Sequence, residues 1–140
     1  MAEAERFLPV SLLEKASLRG NEYAWPVSEI PAVIEAARQR GLVNIGGQLQ
    51  FRFPEGTCEC YWIEVDTYKE LGHEEMTWPE RVELSAAKGL SAFERISARQ
   101  DLVDEGREAF SKAFADFEAS GGKPADAMCF VWYIKAQSDD

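Results

Sequence analysis

The chain has 140 residues, a net charge of −10 and 46% hydrophobic residues, with eight Phe, four Trp and four Tyr. That is enough for one domain, residues 1–140, with a full core, and it excludes extended disorder except at the polar ends, about 1–6 and 138–140. No run reaches the ~18–20 apolar residues of a membrane helix, and the acidic balance argues against nucleic acid and against an anionic membrane surface, since phosphate contacts need clustered Lys and Arg. The start, Met-Ala-Glu-Ala-Glu-Arg, has no apolar h-region, so a cytoplasmic protein without a secretory signal is expected.

In chain order, Ser11–Arg19 predicts a short helix, with Leu12, Leu13 and Ala16 at helical spacing and Gly20 as its stop. Asn21–Pro26 is a connection carrying Tyr23 and Trp25. Ser28 suits an N-cap, Ile30, Val33, Ile34 and Ala37 form the apolar stripe of a second helix, and Gly41 ends it. Gly46-Gly47 lacks the Gly-x-Gly-x-x-Gly context of a phosphate loop and predicts strand entry.

A β-hairpin follows. Leu49, Phe51 and Phe53 alternate with Gln48, Gln50 and Arg52, and Pro54-Glu55-Gly56-Thr57 is turn chemistry. A loop of Glu55-Gly56, or of Pro54–Thr57, sets Phe53 opposite Cys58, Phe51 opposite Cys60 and Leu49 opposite Trp62. On the other face Arg52 meets Glu59, Gln50 meets Tyr61 and Gln48 meets Ile63.

Asp66–Thr77 is a polar, acidic connection. Trp78–Lys88 is compatible with strand or helix, and Ser91-Ala92-Phe93-Glu94 matches a capping box. Leu102, Val103, Phe110, Ala113, Phe114 and Phe117 trace a helical stripe that ends at Gly121-Gly122. Ala127–Lys135 predicts a well-covered strand. The expected fold is α+β: a small antiparallel sheet, hairpin 48–53/58–65 plus strand 127–135, packed with three to four helices.

Chemistry is sparse in this pattern. Cys58, Cys60 and Cys129 read as reduced, buried thiols; a Cys-x-Cys pair gives too few ligands for structural zinc. His73, the only histidine, has no second His beside it and reads as a solvated side chain. No catalytic residue, metal or cofactor is assigned. The polar hairpin face offers Gln48, Gln50, Arg52, Glu59 and Tyr61 side by side, as a binding surface or a plain solvated one. Residues 55–83 carry nine carboxylates against Lys69 and Arg81. Their acidity either keeps the protein soluble or steers a basic protein partner, with Glu70, Glu74 and Glu75 as the charges it would meet.

Gly46-Gly47-Gln48-Leu49-Gln50-Phe51, then Cys58-Glu59-Cys60-Tyr61-Trp62, with Asn21-Glu22-Tyr23-Ala24-Trp25 upstream, resembles a family of small bacterial proteins without an established activity. The resemblance covers the first half of the chain and implies no catalytic residues. In size and acidity the chain is also similar to toxin-immunity proteins. The first functional expectation is therefore a non-enzymatic immunity or inhibitor protein for a basic partner. The alternative is a small-molecule-binding domain or enzyme with a pocket between the sheet and the Phe-rich helix.

Overall fold

Residues 4–71 and 75–137 are described by the computed structural model. The chain enters through a 3-10 turn, Ala4–Phe7, with Ala4 and Glu5 buried, so the expected loose start does not extend to these residues. Helix α1 is only Val10–Leu13. Ser17–Arg19 is instead strand β1, paired with β2, Glu22–Pro26, so that Arg19 opposes Glu22. Gly20, at φ +60°, is the first residue of that two-residue loop, the place a tight hairpin reserves for glycine, and does not stop a helix. Trp25 is fully buried and donates from Nε1 to the Leu12 carbonyl at 2.8 Å, which ties the hairpin to α1.

A 3-10 turn, Val27–Glu29, leads into α2, Ile30–Gln39, whose stripe is as expected and which turns out of the helix at Gly41, φ +70°. Strands β3, Val43–Phe53, and β4, Gly56–Asp66, form the long hairpin. Helix α3 is Thr67–Leu71 and α4 is Trp78–Ser97, which resolves the ambiguous segment as helix. Its capping box is Thr77 with Glu80; Ser91–Glu94 lies in its interior. The Phe-rich stripe is two helices, α5, Leu102–Ala109, and α6, Ser111–Ala119, because Phe110 leaves helical geometry at φ −128°, ψ 51°. After α7, Pro124–Ala127, the predicted last strand divides into β5, Met128–Val131, and β6, Tyr133–Lys135.

The fold is α+β, with more helices than the three to four expected. All strand pairs are antiparallel, in the order β1-β2-β5-β3-β4, with β6 also on β3. The sheet coils strongly, as right-handed strand twist accumulates. Arg19 of the strand at one end donates to Thr57 of the strand at the other, at 2.9 Å.

The hairpin register is two residues from the expected one. Phe53 opposes Gly56 across a Pro54-Glu55 loop, Phe51 opposes Cys58 and Leu49 opposes Cys60. An even shift keeps each side chain on its face, but the Arg52–Glu59 and Gln50–Tyr61 pairs do not form: Arg52 opposes Thr57 and Gln50 opposes Glu59. Past Leu49 the register jumps, so that Gln48 faces Glu64 and Tyr61, Trp62 and Ile63 fall in a wide bulge. Ile63 and Val65 take the inward positions, and Trp62, expected in the core opposite Leu49, turns outward and is 42% exposed.

One face of the sheet carries Trp25, Leu49, Phe51, Phe53, Cys60, Phe130 and Trp132 into a core completed by α2, α4 and Phe114. Its polar hub is Asn44, wholly buried on β3. Its backbone N–H donates to Ser85 Oγ of α4 at 3.0 Å and its Nδ2 to the Ile34 carbonyl of α2 at 3.3 Å. Its carbonyl accepts from Thr67 of α3 at 2.6 Å, and its Oδ1 from Trp132 Nε1 at 2.9 Å. The Asn44 N–H, carbonyl and both ends of its side chain thus all find partners, as burial requires.

Candidate functional site

Of the two readings of the polar hairpin face, a binding surface or a plain solvated one, the second does not hold at Gln50. This face forms the concave side of the coiled sheet, where Gln50 is 1% exposed and Ala24, Cys129 and Val131 make a small second apolar cluster. Arg52 donates from Nε to Gln50 Oε1 at 3.0 Å, from Nη1 to Ser17 O and Oγ at 2.7 and 2.9 Å, and from Nη2 to the Glu22 carbonyl at 3.0 Å. All four acceptors are neutral and three belong to the β1–β2 hairpin, so Arg52 clamps the coil. Burial lowers its pKa, and neighbouring Arg19 acts in the same direction. Gln50 reaches Glu59 at 3.4 Å. The Tyr133 hydroxyl donates to the Glu22 carboxylate, and Gln48 bonds to the same hydroxyl; burial raises the Tyr133 pKa, and the Glu22 charge adds to the rise. Gln48, Gln50, Arg52 and Glu59 thus share one face, where they bond to one another, to the β1–β2 hairpin and to Tyr133.

Tyr61 leaves that group. At the bulge it stands 70% exposed beside Trp62, the two rings edge-to-face at 5.3 Å. Trp62 Nε1 donates to Glu105 Oε1 at 2.7 Å, and its ring stacks on Phe110 at 6.4 Å and 20°. These contacts fix an exposed indole in one orientation. Beside it Trp62, Asp101, Asp104, Glu105, Glu108 and Ala109 line an acidic groove of about 560 Å³. Arg99 bridges Asp101 and Glu105, Arg107 pairs with Asp104 at 3.3 Å, and Glu108 has no ion pair among the described residues.

Comparison with protein-family models, curated proteins and solved structures finds no match.

On the far side of Phe110 a second groove, about 630 Å³, opens between the hairpin turn and α6. Phe53, Phe110, Ala113 and Phe117 form its apolar floor, with Glu55, Lys112 and Asp116 around it. Of the remaining sequence candidates, Glu70 and Glu75 line neither groove. Glu70 pairs with Arg95 at 3.6 Å and Glu75 is exposed; His73 and Glu74 lie outside the described residues. The three thiols are free and buried, and burial pushes Cys60 and Cys129 up to about 11, which leaves them protonated and unreactive at neutral pH. Among the described residues no group of His, Cys, Asp or Glu converges to hold a metal ion, and no helix is long and apolar enough to cross a membrane.

Sequence inspection placed the acidity in residues 55–83 and missed the α5 carboxylates. Their signal was present: Asp101, Asp104, Glu105 and Glu108 follow the i, i+3, i+4, i+7 spacing of one helix face. Nothing in the local pattern marked Trp62 as outward, because the bulge that turns it depends on pairing with β3.

Proposed function

We propose that this chain is a non-catalytic binding protein of the bacterial cytoplasm that captures a basic protein partner, as inhibitors and immunity proteins do. The observation that carries this is the exposed, immobilised Tyr61–Trp62 pair beside the carboxylate face of α5. Trp and Tyr are enriched among binding hot spots, and a Trp already held in one rotamer loses little entropy on docking. An acidic surface on a chain of net charge −10 favours a cationic partner and speeds the encounter.

The test is affinity capture from native cells at low salt with the wild type and with Trp62→Ala. One basic protein retained by the first, lost by the second and eluted by salt is the expected result. Capture indifferent to both the substitution and the salt rejects the proposal. A second reading, a small apolar ligand between Phe53, Phe110 and Phe117, draws on the 630 Å³ groove; thermal stabilisation by a metabolite, abolished by Ala113→Trp, would favour it.

A further inference from the structure

The two grooves share a border. Trp62 lines the acidic one, Phe110 the apolar one, and the two rings stack. Both open along β4: Gly56, Thr57 and Cys58 wall the apolar groove and Trp62 the acidic one. β4 is the end strand of the sheet, and among the described residues it pairs with β3 alone, so no described strand uses the backbone groups of its other edge. Its stretch Gly56–Cys60 pairs regularly with β3, ahead of the bulge, and is therefore straight enough to template a further strand.

From these features we infer that the basic partner docks by strand addition: an extended segment of it pairs with the free edge of β4. It seats one apolar side chain against Phe53, Phe110 and Phe117, and a Lys or Arg among Asp104, Glu105 and Glu108. This rests on the binding role proposed above and specifies its mode. Main-chain hydrogen bonds to an exposed edge supply affinity in such complexes, and alternate side chains entering pockets supply specificity. Four residues of extended chain reach about 13 Å at ~3.3 Å each, and the bulge after Cys60 shortens the path from Cys58 to Trp62, so the two anchoring side chains stand at most about four positions apart. A separation of two or four positions puts both on one face of the added strand. Charge selects the occupant: a second copy of this chain, itself at −10, would set carboxylates against carboxylates, whereas a basic segment neutralises Glu108.

The experiment uses the 15N-labelled full chain and a synthetic probe peptide of roughly nine residues, with two arginines and a phenylalanine about four positions apart on a threonine–valine background. Two further versions carry N-methyl groups on alternate amides, one set in each phase. The parent peptide is expected to shift the amides of residues 56–62 and of α5 and α6. One N-methylated version should bind at least about tenfold more weakly and the other as well as the parent, because only alternate amides of an added strand face β4. If both versions keep the parent's affinity while Trp62→Ala and salt still abolish binding, strand addition is wrong and the aromatic–acidic surface stands. If the peptide binds elsewhere or not at all while Trp62→Ala still loses the captured partner, strand addition is again wrong and the binding role survives. If capture also fails, both fall.

Discussion

Trp62 shows how one side chain can be exposed and yet ordered. Its Nε1 is held by Glu105 and its ring by Phe110, so truncation removes a preformed anchor more than it removes core. Trp62→Ala is expected to weaken partner binding by about 30-fold or more, on the order of 2 kcal/mol, as hot-spot aromatics do. The thermal midpoint should fall far less than for a fully buried Trp such as Trp25. Titration calorimetry with the captured partner, beside a melting curve, checks both; equal affinity for the variant would remove Trp62 from the interface. The thiols make a second residue-scale prediction. Cys60 and Cys129 rise from an ordinary value of 9.0 to about 11 through burial. A group whose pKa is raised on folding contributes stability that is complete below the unfolded value and lost as pH rises through the folded one. Urea denaturation should therefore show stability falling between pH 9 and about 11, with a shallower fall in Cys60→Ala/Cys129→Ala even though that variant starts lower at pH 7. An unchanged slope would rule the thiols out.

At the scale of elements, the hairpin depends on a close approach that only glycine permits. A Cβ on Gly47 would lie 1.6 Å from the Val131 carbonyl oxygen, and one on Gly46, at φ +125°, 2.0 Å from that of Val65. Gly47→Ala must push β5 away from β3 and is expected to abolish cooperative unfolding or cost more than the ~1–3 kcal/mol typical of overpacking. A circular-dichroism melt decides, and a wild-type midpoint would contradict the packing. Thr77→Ala is milder, removing a cap worth about 0.5–2 kcal/mol. It should also move the Glu80 carboxylate only part-way back toward its usual range, because the residue-77 backbone N–H, the larger of the two causes that hold it low, remains while the hydroxyl is lost; carboxylate-resolved NMR measures it. These same elements mark the limits of the sequence. The hairpin, α2 and its Gly41 exit were legible because alternation, helical stripe and turn residues agreed locally. The register was not, because Pro54-Glu55 and Glu55-Gly56 are both acceptable loops and the even shift between them keeps each side chain on its face, so alternation cannot choose. The β1–β2 hairpin was missed because Leu12, Leu13 and Ala16 suggest a helix until Gly20 is seen to turn the chain back. Of the candidate site, the sequence singles out Tyr61 but sets it opposite Gln50, where Glu59 stands instead, and the α5 face that completes the site reaches Trp62 from Glu105, 43 residues along the chain, only through the fold.

For the whole molecule, the issue is where the charge acts. Total charge sets the long-range attraction of a basic partner, but the field it feels on close approach comes from carboxylates within a Debye length, about 8–10 Å near physiological salt. Asp104→Lys/Glu108→Lys and Glu70→Lys/Glu75→Lys change the net charge equally, yet the first pair lines the groove beside Trp62 and the second lies outside it, with Glu70 already held by Arg95. Steering by total charge alone would slow association equally in both variants. A local binding surface predicts instead that the α5 pair lowers the association rate about tenfold or more at low ionic strength and also hastens dissociation, because a desolvated contact is lost. The other pair should produce only a modest loss in association rate that disappears as salt is raised. Stopped-flow or surface-plasmon kinetics with the captured partner, at low and high salt, separates the two cases. A larger effect from Glu70 and Glu75 would move the interface to the acidic segment after β4 and away from the groove at Trp62.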